Sequence, residues 1–475
     1  MREFTNRNVF WHKRNSSFAI IISLLTIFGI SMFYNQFLMP LGLFIGGFSI
    51  IVLFFYGLNY YSIKWNNLNK KNFEVKLFWY SFIIRLLFVI YMYLLTLVYD
   101  PSNFPMELAA ADSWGYHTKA IVLSQSDFSQ YFDILNDLTK ERADWGYNIY
   151  QSIIYKIFGP NTFPVRLLNC FFGALSVVLI SRISGMLFSI KHAKLTGIIA
   201  MLFPSLIYFS AIQLKETLMI LIVILIFYNG VKMIELENIY FKNITLIILL
   251  SFSLFYFRTV LAVIVIGSLL VYFGLNSLKK VTHTRIAFLL TISFGFLIFL
   301  SQYGFISDIS DVYEESDEIF EKNLTAEAKN VGNISYDQVI VAPFIILGAF
   351  ITPFPSFLVT EERQKPIVAH FQNEIVRNYM YYFALLGIIL LIKKSFIKSS
   401  LLLFFIISYL YVLASSGTSF IDRFHLPLVP FIIITMSVGF IESNLKWKNR
   451  WHIYIFIIVV AQIAWTIFKL NIRGL

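Results

Sequence analysis

LFWYSFIIRLLFVIYMYLLTLVY, residues 77–99, holds a single charged side chain, Arg85. As a helix this stretch would rise about 35 Å, enough to cross roughly 30 Å of hydrocarbon. In lipid the backbone amides find partners only within the segment, so a run this apolar reads as a spanning helix. Lys64, Lys70, Lys71 and Lys76 precede it, and Asp100, Asp112, Asp127, Asp133, Asp137, Glu141 and Asp144 follow it. Lysine-rich loops stay cytoplasmic, so the span delivers the chain to the outer side. Residues 100 to 150 then read as an outer loop of short amphipathic helices lying on the membrane surface.

The same pattern extends in both directions. The basic opening MREFTNRNVFWHKRN places the first hairpin, spans near 17–35 and 38–60, with its start in the cytoplasm, and no cleavage site follows the first run, so the N-terminus is read as mature. Downstream spans are expected near 163–187, 196–213, 216–234, 242–257 and 258–279, then near 286–303, 376–392, 399–414, 426–441 and 452–470. Segment 339–358, broken by Pro343, Pro353 and Pro355, is expected to be re-entrant or kinked. The fold class is therefore all-α, a polytopic transmembrane bundle of about 11–13 spans with extracytoplasmic loops. Three regions follow: 1–76, an N-terminal hairpin and linker; 77–303, a transmembrane core with the first outer loop; and 304–475, an acidic outer loop, the broken segment and C-terminal helices.

Composition agrees. The chain of 475 residues is 58% hydrophobic and 14% charged, with a mean hydropathy of +0.72, outside the range of soluble domains. Its net charge of +11 is spread over short loops between spans, which argues for membrane topology and against a nucleic-acid partner. Cys170, the lone cysteine, excludes an intrachain disulfide and argues against a cysteine-based metal site.

Carboxylates and cations gather in the outer loops. In a helix, Asp112, Tyr116 and Lys119 share a face while His117 points elsewhere. Asp112 reads either as a catalytic carboxylate or as a helix cap. Asp144 either positions an acceptor or a metal or caps the helix beginning near Tyr147, and Glu216 is either catalytic or a favourable charge at a helix start. Lys215, Arg258, Arg423 and Arg166 are outer cations that either meet lipid headgroups or grip a phosphate, and Arg258 at its span boundary is the strongest of them. Arg423 could instead pair with its neighbour Asp422, and Arg85 is expected to reach the inner interface or an internal partner.

ADSWGYHTKA (111–120) resembles the first-outer-loop Asp-x-x-x-Tyr/His-x-x-x-Ala stretch of GT-C glycosyltransferases. Residues 142–188, beginning RADWGYNIYQ, are similar to the segment running from that loop into the next helix in bacterial families related to protein mannosyltransferases and aminoarabinose transferases. PSLIYFSAIQLKETLMILIV (204–223) is similar to their Pro-containing hairpin, and DRFHLPLVPFIII (422–434) to the start of a late span. The resemblance is good over residues 77–275 and thin elsewhere; two extra N-terminal spans and the lack of a large soluble domain after the last span depart from it.

The resemblance implies a transferase that moves a sugar, with inversion, from a polyprenyl-phosphate donor to an extracytoplasmic glycan or lipid acceptor. Asp112 would be its catalytic carboxylate, with Asp144 and Glu216 as further candidates. Tyr116, His117, Arg166, Lys215, Arg258 and Arg423 would bind substrate. The protein would be multi-pass in the plasma (inner) membrane among its lipids, with the site facing outside or the periplasm. No metal-ligand set is evident in the spacing, which leaves a divalent cation shared by Asp112, Asp144 and Glu216 as an open possibility. Competing readings are a polysaccharide polymerase or ligase, whose essential residues would fall in 304–374, and a transporter or flippase for a lipid-linked saccharide, which would carry charges deep in several spans.

Overall fold

A computed structural model of the chain describes residues 11–33, 39–108, 110, 112–139, 142–235, 241–277, 348, 350–352, 354–355, 371–415 and 421–472. Among these residues there are helices and no strands. The long ones are α1 (Lys13–Phe33), α2 (Leu41–Lys64) and α3 (Lys70–Tyr99). The outer-loop region folds as three short helices, α4 (Asp112–Gln125), α5 (Tyr131–Leu138) and α6 (Trp145–Phe158). The chain continues through α7 (Thr162–Leu187), α8 (Ile190–Leu202), α9 (Pro204–Ala211), α10 (Glu216–Glu235), α11 (Phe241–Phe255) and α12 (Thr259–Ser277). It ends with α13 (Phe371–Lys394), α14 (Phe396–Ser415), the single turn α15 (Asp422–His425), α16 (Val429–Glu442), α17 (Leu445–Asn449) and α18 (Trp451–Ile472).

Among the described residues nine helices are long and apolar enough to cross a membrane, and the pair α8–α9, bent by 49°, is a broken span or a re-entrant loop. The bend falls where Pro204 opens α9: its ring cannot continue the hydrogen-bond ladder of α8. Helices α11 and α16 are apolar but shorter. The chain is a multi-pass membrane protein; most of the expected spans appear as long apolar helices, whereas the expected spans 242–257 and 426–441 form the shorter α11 and α16. One difference is at α3, which begins at Lys70 rather than near residue 77, so the boundary drawn at 76/77 falls inside a helix. The Asn69 side chain accepts the Asn72 amide, a cap that starts the helix about two turns before the apolar run. The expected span 286–303, the acidic loop 304–338 and most of the broken segment 339–358 lie outside the described residues.

Long helices here are apolar on both faces. Helix α3 buries Leu77, Arg85, Val89 and Met92 and exposes Leu87, Leu94 and Val98, the arrangement of a helix with protein on one side and lipid on the other. Where the core gains little from expelling water, small residues let backbones approach. Gly387 of α13 and Gly439 of α16 do this: a Cβ on Gly387 would lie 1.9 Å from the Thr435 carbonyl, and one on Gly439 would lie 1.9 Å from the Phe383 carbonyl. Helix α7 is buried along its length and packs against α3, α8 and α10.

The bundle has two chemically different ends. At one, Arg182 pairs with Glu74 at 2.7 Å, Lys398 with Glu235 at 3.1 Å and Lys394 with Glu442 at 3.7 Å. Lys194 donates to the Asn66 and Leu68 carbonyls there. At the other, the loop helices form their own small cores. Leu123, Tyr131, Leu135 and Trp145 pack together, and Ala120, Ile154, Tyr155 and Val165 form a second cluster. The Trp145 indole donates to Thr139 Oγ1 at 2.7 Å, tying the ends of this loop together.

Candidate active site

Seven of the sequence-selected residues converge at the loop end: Asp112, Tyr116, Asp144, Lys215, Glu216 and Arg258, with Arg423 from the other half of the chain. Asp112 is the first residue of α4, and its side chain is 51% exposed. Arg423 Nη1 donates to Asp112 Oδ2, and Arg423 Nε lies 3.7 Å from Glu216 Oε1. Arg258 Nη2 approaches the same Glu216 oxygen at 3.9 Å, so one carboxylate that is only 2% exposed sits between two guanidiniums. Glu216 Oε2 is buried and has no hydrogen-bond partner among the described residues.

Each arginine is oriented by an aromatic scaffold. Arg258 Nη1 donates to the Tyr409 hydroxyl at 3.1 Å, which in turn donates to the Phe424 carbonyl at 3.0 Å. The Phe424 ring lies 4.8 Å from the Arg258 guanidinium and 5.2 Å from that of Arg423, a cation–π platform shared by both. Arg423 is not paired with Asp422. Asp422 turns inward to Arg377 Nη1 at 3.0 Å and accepts from Asn373 at 3.3 Å, while Arg423 turns out to Asp112. Adjacent residues in the short turn α15 point apart, so the two neighbours anchor opposite sides of it.

A second ion pair lies beside the first. Lys215 Nζ donates to Asp144 Oδ1, to the Phe257 carbonyl at 2.8 Å and to the Ala143 carbonyl at 3.4 Å. The Tyr116 hydroxyl donates to Asp144 Oδ1 at 3.0 Å. Asp144 is the residue before α6 but makes no side-chain cap; its carboxylate is spent on Lys215 and Tyr116 instead. The backbone clamps this corner as well, since the Gly146 amide donates to the Tyr256 carbonyl at 2.9 Å and a Cβ on Gly146 would meet the Phe257 ring at 2.6 Å. The position needs a residue without a side chain, because the first turn of α6 lies directly on the 256–258 turn that carries Arg258.

Burial raises the Asp144 carboxyl, but Lys215, its hydrogen bond, Tyr116 and Lys119 together outweigh burial and hold it below the ordinary aspartate value. Burial pulls the Lys215 ammonium down against the attraction of Asp144. With three oxygen acceptors around Nζ, the ion-paired form is the one the geometry supports. Tyr116 is raised by burial and by the negative field of Asp144 and Glu216, so it remains a proton donor. Burial opposes the charge on Arg423, but Glu216 and Asp112 more than compensate and raise it.

Two selected residues are elsewhere. His117 turns away from Asp112, with Nδ1 2.7 Å from the Tyr155 hydroxyl, which also accepts from Gln213 Nε2 at 2.5 Å. Burial lowers the His117 imidazole and pushes the Tyr155 phenol up to about 12. Arg166 is fully buried; it donates to the Pro105 carbonyl at 2.9 Å, meets Glu107 Oε2 at 3.4 Å and stacks on Tyr93 at 4.4 Å. Both hold the loop to the bundle. Arg85 is fully buried inside, donating to the Ser210 hydroxyl at 3.2 Å and the Ser81 carbonyl at 3.1 Å, so it takes an internal partner and not the interface. Sequence reasoning did not single out Glu107, Tyr155, Gln213, Tyr409, Phe424 or the Arg377–Asp422 pair. Tyr409 sits in an apolar run where nothing but tertiary contact distinguishes it.

Among the described residues no group of three or more His, Cys, Asp and Glu could hold a metal. Asp112, Asp144 and Glu216 are each met by a cation: Asp112 and Glu216 by Arg423, and Asp144 by Lys215.

These features define a multi-pass helical membrane protein with a carboxylate–arginine site at one end of its bundle. Residues 146–303 match the family model of dolichyl-phosphate-mannose-protein mannosyltransferase, a GT-C domain. Over that stretch, about a third of its length, the chain is similar to membrane glycosyltransferases of that family. The match contains Lys215, Glu216 and Arg258; Asp112 and Asp144 precede it and Arg423 follows it. No curated protein matches the chain.

Proposed function

We propose that the protein transfers a sugar from a polyprenyl-phosphate donor to an extracytoplasmic glycan or lipid acceptor, with Asp112 as general base. The observation that carries this reading is the half-exposed Asp112 carboxylate held beside Arg423, with Arg258 sharing the Glu216 anchor behind it. Transfer from a lipid phosphate needs a base to take the acceptor hydroxyl proton and cations to receive the charge that grows on the departing phosphate. Asp112 would accept that proton as the acceptor oxygen attacks the sugar C1, and the C1–O bond to the phosphate would break with its electron pair going to the phosphate oxygen. Arg423 and Arg258 are the groups placed to meet that charge, since a guanidinium presents several donors to phosphate oxygens. One direct displacement inverts the anomeric centre. The lysine-rich turns at the opposite end of the bundle support placing the site outside the plasma membrane.

The test is sugar release or transfer by detergent-purified protein from a panel of polyprenyl-phosphate sugars, comparing wild type with Asp112→Asn. Loss of a general base removes roughly 10²–10⁴-fold of rate. Turnover in wild type that falls at least a hundredfold in a variant with unchanged gel-filtration behaviour supports the assignment; undiminished turnover in the variant refutes it.

A further inference from the structure

A cavity of about 430 Å³ opens at the end of the bundle opposite Asp112, between α3, α7, α8 and α10. The opposition follows from the helices themselves. Each of α3, α7 and α10 has one end on the side of the bundle that carries the loop helices and the other at this cavity: α10 begins with Glu216 and reaches Lys232 in its last turn, and α7 carries Arg166 in its first turns and Arg182 near its end. Helix α3 runs 30 residues, about 45 Å, from Lys70 to Tyr99.

The lining has two characters. Lys70, Arg182 and Lys232 supply three cations against one carboxylate, Glu74, and Glu74 is already committed to Arg182 at 2.7 Å. Among the described residues neither Lys70 nor Lys232 makes an ion pair, which leaves a net positive field at the rim. Met186 and its apolar neighbours form the rest of the wall, and the Tyr228 side chain completes it. A free inorganic anion has no use for an apolar wall, and an alkane has none for two unpaired ammonium groups. The chemistry that satisfies both is an amphiphile with an anionic head.

We propose that this cavity binds the phosphate headgroup of an anionic phospholipid, with Lys70 and Lys232 as its principal contacts and the acyl chains running past Met186. A basic residue near an anionic lipid surface is worth enough that removing both lysine charges weakens binding about thirtyfold. The site is separate from the transferase chemistry, and its test does not depend on activity.

The test uses full-length protein in a neutral detergent and follows the thermal midpoint on titration with short-chain phosphatidylglycerol, short-chain phosphatidylcholine or inorganic phosphate. Wild type is expected to be stabilised saturably by phosphatidylglycerol alone. The Lys70→Gln/Lys232→Gln variant is expected to need about thirtyfold more lipid for the same shift, and Lys71→Gln, an exposed neighbour outside the cavity lining, to behave as wild type. Neither substituted lysine makes an ion pair among the described residues, so the variant is expected to elute as a folded protein; should it not, Lys232→Gln alone is expected to weaken binding about fivefold. Equal stabilisation by phosphatidylcholine, an equal effect of inorganic phosphate, or a variant that binds as tightly as wild type would each overturn the proposal.

Discussion

Glu216→Gln tests the organisation of the site more sharply than any change to its exposed groups. Glu216 Oε1 lies 3.7 Å from Arg423 Nε and 3.9 Å from Arg258 Nη2. At an effective dielectric constant of 20, each contact is worth about 4 kcal/mol before desolvation is subtracted. The amide keeps the shape and removes the charge, leaving two guanidiniums facing one another with no negative charge between them. Breaking a buried pair from one side costs about 3–5 kcal/mol. Arg423→Gln is expected to cost about half as much, because Glu216 keeps Arg258 and the freed Asp112 is half in solvent. The assay is the fraction of detergent-solubilised protein that stays monodisperse after heating, with Glu216→Gln, Arg423→Gln and the double variant in one cycle. The double variant should be less damaged than the sum of the singles, since it deletes one cation along with the anion. Glu216→Gln at wild-type stability, or Arg423→Gln more damaging than Glu216→Gln, would refute the reasoning that Glu216 is the shared anchor.

Further outcomes follow from other parts of the fold. Asp144 is held below the ordinary carboxylate range in the folded state, so its contribution to stability is complete above about pH 5 and is lost as pH falls through the lowered value. The thermal midpoint should therefore be flat from pH 8 to 5 and decline below, with Asp144→Asn removing part of that acid limb; a decline between pH 7 and 6 that Asp144→Asn abolishes would contradict the sign. Gly387→Leu must push against the Thr435 carbonyl at 1.9 Å and is expected to destabilise by about 1–3 kcal/mol or more, read as loss of folded protein in expression. Gly115→Ala meets nothing within 4 Å inside α4 and is expected to stabilise by about 0.5–1 kcal/mol, a comparison that fails if both glycine changes have the same sign. Lys215→Met removes the donor to Asp144 and two carbonyls together, so it is expected to cost more than Asp144→Asn in the same heating assay.

Much of this protein is legible along the chain, because a span is a local property: length, apolarity and flanking lysines are read within some twenty residues, and lipid leaves the helix as the solution for a single segment. That is why 162–187 and 371–394 fall where the sequence puts them, and why the short helices of 112–158 could be expected in the first outer loop. The carboxylates of that loop, and Lys215, Glu216 and Arg258 at the turns between helices, are conspicuous as polar residues in apolar surroundings. Their partners are not. Arg423 stands beside Asp422 in sequence yet reaches Asp112 across 311 positions, while Asp422 goes to Arg377. His117 and Arg166 share the chemistry of a substrate site but serve as struts, on Tyr155 and Glu107. The sequence by itself determined the membrane class, the spans and the end at which the polar groups collect. Only the tertiary structure decided which charges meet, because ion pairing is set by the packing of helices far apart in the chain, and local pattern carries no record of that packing.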